Sequence, residues 1–599
     1  MKRHHDMPFG VMPSEAGTSF HLWAPAADSV ELRLDDRPAV LMDRAPDGRF
    51  STRLAGCLTG CRYRYAINGK SGVPDPASRF QPDGPMGLSE IIDPNAYEWN
   101  DAGWKGRPWE EAVLYEIHIG AFTREGTFQS AISKLDHLVE VGITAIEIMP
   151  VAAFPGRWGW GYDGVDLFAI ESSYGRPEDL KALIDAAHAR GLMVIQDVVW
   201  NHFGPQGNFL GLYAPEFFTD AHHTPWGAAI NFDRPGREVV RQFYRHHALY
   251  WLEEFNVDGL RTDALHAIKD DSRPTIFEEI ANAVHAAAGD RHFHLIAEDE
   301  RNRARHLERN ECDRPRIFTA QWNDDFHHPI HVLATGETQS YYADFAERPR
   351  EQLGRALAEG FAFQGERSLV RNRSRGERST HLPPIAFIPF VQNHDQIGNR
   401  ALGDRLVHSG NRAVVRAAVA ILLLSPQIPL LFMGEEWGSE RPFPYFCDMG
   451  PELAENIRNA RNAEFAGDAR FNDPAELARL PDPSAEKTFL SAKLDWESLR
   501  MPGHAEWLDF YRLLLHIRRR EILPLLSRFR GNSGSYRMQN GTVLNVDWRT
   551  VDGVALRLTA NLGPEARSVA FFSSGRQIYA SHLEIPAVYP PWSVRMSIG

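Results

Sequence analysis

Residues 259–266 read GLRTDALH. Leu260 and the β-branched Thr262 flank Arg261, and the short run ends on Asp263. In an extended chain residues two apart share a face, so Arg261 and Asp263 point the same way and the guanidinium can orient the carboxylate. An apolar strand that ends in charge suits a sheet buried on both faces, with polar groups displayed at the strand ends.

Seven further runs share this texture: VLYEIHIG (113–120), AIEIMPV (145–151), LMVIQDVV (192–199), HLIAED (294–299), RIFTAQW (316–322), FIPFVQN (387–393) and IPLLFMG (428–434). Amphipathic stretches such as PEDLKALIDAAHARG (177–191) lie between them. Eight such alternations over roughly 400 residues predict an α/β fold, a (β/α)8 TIM barrel with enlarged loops. A doubly wound sheet is the structural rival, but its usual signs are absent. Trp507, Phe510, Leu514 and Ile517 fall on one face of a last helix that should close the barrel.

Outside the barrel the period changes to two. Val30, Leu32 and Leu34 alternate with Glu31 and Arg33, and Tyr63, Tyr65 and Ile67 precede an Asn68-Gly69 turn. Leu544, Val546 and Trp548, then Val554, Leu556 and Leu558, repeat the pattern near the C-terminus. The expected division is an N-terminal β-sandwich (1–92), a catalytic barrel (93–524) and a C-terminal β-sandwich (525–599).

The 599-residue chain carries 65 Lys and Arg against 79 Asp and Glu, a formal charge of −14, which repels phosphate backbones and anionic lipid. No nucleic acid and no membrane partner is expected. The most apolar window, Ala417 to Met433, is broken by Pro426 and Pro429 and reads as a buried helix followed by a core strand. Four cysteines, Cys57, Cys61, Cys312 and Cys447, are too few for a disulfide scaffold and read as reduced thiols. The basic start MKRHHDMPFG has no apolar segment after it, so the expected location is cytoplasmic.

Gly159, Gly161 and Gly164 match GxGxxG by letter, yet Trp160, Tyr162 and Asp163 are too bulky for a pyrophosphate cradle and an extended piece follows. No cofactor is expected. The 25 histidines show no metal-ligand spacing, and pairs such as His222-His223, His246-His247 and His327-His328 point neighbours to different faces, so no metal is expected either. The basic loop 366–380 reads as a solvated loop.

Asp197, Asp263, Glu298 and Asp395 fall at or just beyond the ends of the third, fourth, fifth and seventh runs, where barrel enzymes keep their chemistry. One such acid serves equally well as a helix cap or ion-pair partner. Four of them, beside His202, Arg261, His266 and His394, are hard to explain structurally, because each unpaired buried charge costs several kcal/mol. Paired acids supported by Arg and His suit glycoside hydrolysis, in which one protonates the leaving oxygen while the other attacks the anomeric carbon. Trp158, Trp160, Tyr162, Trp226 and Trp322 follow strands or lie in their loops, placed either to stack on pyranose rings or to pack the core.

The blocks DVVWNH (197–202), GLRTDALH (259–266), IAEDE (296–300) and FVQNHD (390–395) resemble the four ordered signature regions of the α-amylase superfamily, glycoside hydrolase family thirteen. That resemblance implies Asp263 as nucleophile, Glu298 as general acid/base and Asp395 as a third acid stabilising the transition state. It also implies sugar contacts from Arg261, His202, His394, Tyr162, His266, Trp226, Asp163, Asp325 and Gln396, with structural support from Asp197 and Asn201.

YEIHIGAFTREGTF (115–128), WGYDGVDLFAIESSYG (160–175), TPWGAAINFD (224–233), AQWNDDFHH (320–328), NHDQIGNRALGDRL (393–406) and LFMGEEWGSERPFPYFCD (431–448) are similar to the maltooligosyltrehalose trehalohydrolase family. The similarity reaches an N-terminal immunoglobulin-like, carbohydrate-module-like sandwich. It implies hydrolysis of the α-1,4 bond next to the terminal trehalose unit of maltooligosyltrehalose, with trehalose and maltooligosaccharides as products and a maltooligosyltrehalose synthase as pathway partner. A retaining mechanism would place the Asp263 and Glu298 carboxyls about 5–5.5 Å apart. One departure is local: DERNRARHL (299–307) stands where an Asp-Leu-Asn-like stretch is expected, leaving contacts from 299–303 unassigned. A glucan branching or debranching enzyme is the alternative activity, and a non-catalytic glucan-binding protein the alternative class.

Overall fold

In the computed structural model the described residues are 3–599 except 36, 57, 71, 467–468, 472, 570–574 and 583–587. All eight apolar runs become strands of one parallel sheet: β1 (Leu114–Ile117), β2 (Ala145–Ile148), β3 (Met193–Val198), β4 (Gly259–Thr262), β5 (His294–Ala297), β6 (Ala320–Trp322), β7 (Phe387–Ile388) and β8 (Leu430–Phe432). They pair in sequence order, β8 pairs with β1, and a parallel bridge between Phe390 and Leu430 closes the ring.

The outer layer comprises α1 (Leu135–Val141), α2 (Pro177–Ala189), α3 (Arg237–Glu253), α4 (Ile276–Ala288), α5 (Asp324–Thr335), α6 (Arg412–Leu424) and α7 (Pro502–Ile517). Each buries an apolar stripe on the sheet; in α7 Trp507, Phe510, Leu514 and Ile517 are all buried, as their spacing requires. The eighth alternation is incomplete. Between β5 and β6 the described chain forms only a short 3-10 turn, Ala304–Leu307, because the arginine-rich stretch after Glu298 supplies no apolar stripe.

The N-terminal region forms two antiparallel sheets. Leu32 pairs with Tyr65 across the second, and the apolar members of both alternating runs are buried. This sandwich is fixed to α3 by Arg79, whose Nε and Nη2 donate to the Glu254 carboxylate at 2.8 and 2.9 Å with both side chains buried. At the other end, residues 534–598 build a five-stranded antiparallel sheet and a two-stranded pair, and Trp548 donates to the Leu357 carbonyl of the barrel. The window 417–433 is the end of α6 followed by β8, and among the described residues no helix is long and apolar enough to cross a membrane. Cys61, Cys312 and Cys447 are free thiols; Cys57 lies outside the described residues.

Candidate active site

Parallel pairing sets Asp197 of β3 beside Arg261 of β4. The ladder continues past the strand ends, with the Asp263 N–H on the Val198 carbonyl and the Glu298 N–H on the Thr262 carbonyl, both at 3.1 Å. The acids therefore emerge together at the C-terminal rim. Arg261 lies beneath them. Its Nη1 donates to Asp197 Oδ2 at 2.7 Å and to Asp263 Oδ1 at 2.9 Å, and its Nη2 lies 3.8 Å from Glu298 Oε2. The Trp322 ring backs the guanidinium at 4.1 Å, a cation–π contact that holds it flat under the acids.

Exposure separates support from reach. Arg261 and Asp197 keep 1% and 2% of their side-chain surface, whereas Asp263, Glu298 and Asp395 keep 15%, 16% and 46%. Asn201 Nδ2 donates to Asp263 Oδ2 at 2.9 Å, and Tyr162 donates its hydroxyl to Asp197 at 2.8 Å. The Ala264 N–H donates to Glu298 Oε2 at 2.5 Å from a left-handed backbone, φ 41° and ψ 53°. Strain of this kind at a non-glycine residue costs of order 1–3 kcal/mol and collects at functional sites.

Burial raises the Glu298 pKa well above the usual carboxylate range; Arg261 opposes the shift, and Asp263, Asp395 and Asp324 reinforce it. Burial also lifts Asp197 and Asp163 to about 6 and Asp324 to about 7.

Asp395 stands in the helical turn His394–Gly398, which packs so closely on Trp160 that a Cβ at Gly398 would lie 2.0 Å from its ring. His394 is held from below by Glu116 of β1, with Nδ1 at 2.5 Å and the backbone N–H at 3.0 Å. Burial lowers the His394 pKa, but Glu116 and Asp395 outweigh it and the net shift is upward. Tyr162 stacks on His394 at 5.1 Å.

At the rim, Trp226 tips a hairpin, 49% exposed and stacked on His202 at 4.8 Å. His266 lies 3.9 Å from Glu300, and Gln396 Nε2 donates to Asp324 Oδ1 at 3.0 Å.

One expectation is corrected. Asp325 does not reach the site: it is fully buried, with Arg375 at 2.7 Å, Asn302 at 2.9 Å and the Ala362 and Phe363 N–H groups on its oxygens. Asp324, one residue earlier, accepts from Gln396 Nε2 and lies close enough to help raise the Glu298 pKa. Of the aromatics placed either to stack on sugar or to pack the core, most of the tryptophans pack. Trp158 stacks on Phe489, Trp160 on Phe443, and Trp322 lies under Arg261, so only Trp226 and Tyr162 of that group offer surface.

Glu116 and Glu147, which the sequence expectations did not include, face each other across β1 and β2 inside the barrel; burial, then Glu116, raises the Glu147 pKa well above normal. An acid in mid-run was the available signal.

The GxGxxG letters open no helix: Gly161, at φ 100°, turns the chain against the Pro150 carbonyl and leads into the strand Asp166–Ile170. His222, Asp233 and Asp271 gather closely enough to hold a cation, but His222 Nε2 is already 2.9 Å from Asp233 and Arg234 lies within 4 Å of both carboxylates.

The barrel and its match over residues 92–211 to the alpha amylase catalytic domain define an α-amylase-type glycoside hydrolase. Residues 8–96 match carbohydrate-binding module 48, the isoamylase N-terminal domain, and 531–595 a domain of unknown function. A malto-oligosyltrehalose trehalohydrolase of Saccharolobus solfataricus is 40% identical over 91% of each chain, and one of Deinococcus radiodurans 41% identical over 93% of this chain and 90% of its own. The chain belongs to the malto-oligosyltrehalose trehalohydrolase family. A crystal structure of a candidate alpha amylase from Salmonella typhimurium is 44% identical, with TM-score 0.94 over 99% of this chain and 100% of its own.

Proposed function

We propose that this chain hydrolyses the α-1,4-glucosidic bond adjacent to the terminal α,α-trehalose unit of maltooligosyltrehalose by a retaining double displacement. The observation that carries the reading is one guanidinium, Arg261, within 3.8 Å of both Asp263 and Glu298, and burial raises the Glu298 pKa well above the usual carboxylate range. Asp263 attacks the anomeric carbon of the glucan residue, and Glu298 gives its proton to the bridging oxygen, so trehalose leaves first. Glu298, now a carboxylate, takes a proton from water, which attacks the glycosyl-Asp263 ester and frees the maltooligosaccharide. Asp395 and His394 contact the distorted sugar; Arg261, Asp197 and Asn201 position Asp263.

His202, Trp226, Tyr162, Asp163, His266 and Gln396 line the substrate path, and Asp324 takes the place first expected of Asp325. The working division is 1–92 sandwich, 93–524 barrel and 525–599 sandwich. The proposed setting is cytoplasmic, downstream of a synthase that caps maltooligosaccharides with trehalose, without nucleic-acid or membrane partners.

Incubation with maltooligosyltrehalose should release free trehalose and an α-configured maltooligosaccharide, followed by proton NMR of the anomeric signals. New α-1,6 branches on amylose, or a β-configured first product, would overturn the activity or the mechanism respectively.

A further inference from the structure

The arginine-rich stretch after Glu298 meets the basic loop between β6 and β7. The loop docks through its backbone, the Gly376 N–H on the Arg301 carbonyl at 3.1 Å and the Glu377 N–H on the Asn302 carbonyl at 3.0 Å. Between them lies a cleft of about 230 Å³ lined by Arg301, Arg303, Arg305, Arg371, Arg373 and Arg375, with the Glu377 carboxylate also on its wall.

Four of these arginines have acid partners: Arg303 on Asp299, Arg305 on Glu377, Arg371 on Glu300 and Arg375 on Asp325. Arg301 and Arg373 have no carboxylate partner among the described residues. Arg301 Nε and Arg303 Nη2 are buried without a hydrogen-bond acceptor. Lys269 lies close enough that, after burial, Arg301, Arg303 and Arg373 depress its pKa, and burial followed by Arg303 and Arg373 does the same to Arg301. In a chain of net charge −14, this cleft gathers an excess of two guanidinium groups, with the Lys269 ammonium nearby. A solvated surface would spread these charges; here they converge with donors unsatisfied.

We propose that this cleft binds the phosphate group of a small phosphorylated molecule. Guanidinium forks match phosphate oxygens in pairs, and a dianion satisfies the charges of Arg301 and Arg373 together. The cleft, at about 230 Å³, has room for a phosphate with a small organic group. Glu300 links the cleft to the catalytic rim, since Arg371 grips it from one side and His266 lies 3.9 Å away on the other.

Calorimetric titration of the full chain with inorganic phosphate and with glucose 6-phosphate, at constant ionic strength, tests this. Wild type should bind at least one, and Arg301→Ala/Arg373→Ala should weaken binding about tenfold or more per guanidinium lost, with hydrolysis in phosphate-free buffer unchanged. Equal affinities would mean that the phosphate alone is recognised, and tighter sugar phosphate that the organic part is also held; both support the site. Arg373→Glu, at an exposed position, keeps the test open should the double variant misfold. Affinity weaker than about 10 mM for both probes, an equal response to chloride, or undiminished binding in the variants would overturn it.

Discussion

The two ends of β4 carry charge for opposite purposes. Asp258, just before the strand, is fully buried and accepts from Trp104 Nε1 at 2.8 Å, His188 Nε2 at 3.0 Å and the Val194 N–H at 2.9 Å. His188 continues to Asp101 at 2.7 Å, which Arg3 and Asn256 also contact. Five residues on, Asp263 has Arg261 and Asn201 as partners and keeps part of its surface open. A closed network lowers the energy of the fold, whereas a group left partly open keeps an oxygen for substrate. Charge at a strand end becomes evidence of catalysis only once its partners have been counted.

The contrast is tested most severely by Asp263→Ala, which should lower kcat on maltooligosyltrehalose by about 10⁵-fold while leaving the thermal midpoint nearly unchanged; a collapse in stability would erase the distinction. Asp258→Ala should do the reverse, costing about 3–5 kcal/mol in urea denaturation by stranding His188 and Trp104, with kcat of the folded fraction intact.

A smaller effect separates the ends by pH. Glu298 must carry its proton, so kcat/KM should fall tenfold per unit only as pH rises through its elevated pKa, giving an alkaline limb well above the ordinary carboxylate range. Glu298→Gln should remove that limb from the residual rate, and a limb near pH 4–5 would contradict the burial argument.

The smallest effect belongs to His188. Burial lowers its pKa, but Asp258 and Asp101 outweigh this and leave it raised. Its stabilisation is therefore complete below the unfolded value of about 6.5 and lost as pH climbs through the folded value. The thermal midpoint should decline over that window in wild type and run flatter in His188→Gln.

The barrel was legible because parallel strands buried on both faces must be apolar throughout, and eight such runs leave few alternatives. The acids were legible because they interrupt those runs at their ends. Asp324 and Asp325 were not separable: successive positions in a first helical turn differ by about 100° in direction, and composition does not reveal which one faces the pocket. Stacking and packing aromatics were not separable from sequence either. Ten of the 15 tryptophans are buried, among them Trp200, Trp251, Trp437 and Trp548, so most of that count serves packing. The shortened β5–β6 connection does not follow from a count of strands; it follows from residues 299–315, which carry too little apolar surface for a helix to pack on the sheet.

The Arg79–Glu254 pair has a consequence in time. The two residues are 175 positions apart, and at about 5–20 residues per second a ribosome needs roughly 9–35 s to travel between them. Throughout that interval the N-terminal sandwich lacks the carboxylate its guanidinium pairs with. The sandwich therefore docks through this pair only after α3 has emerged, so the seam between the two is completed late relative to synthesis of the sandwich.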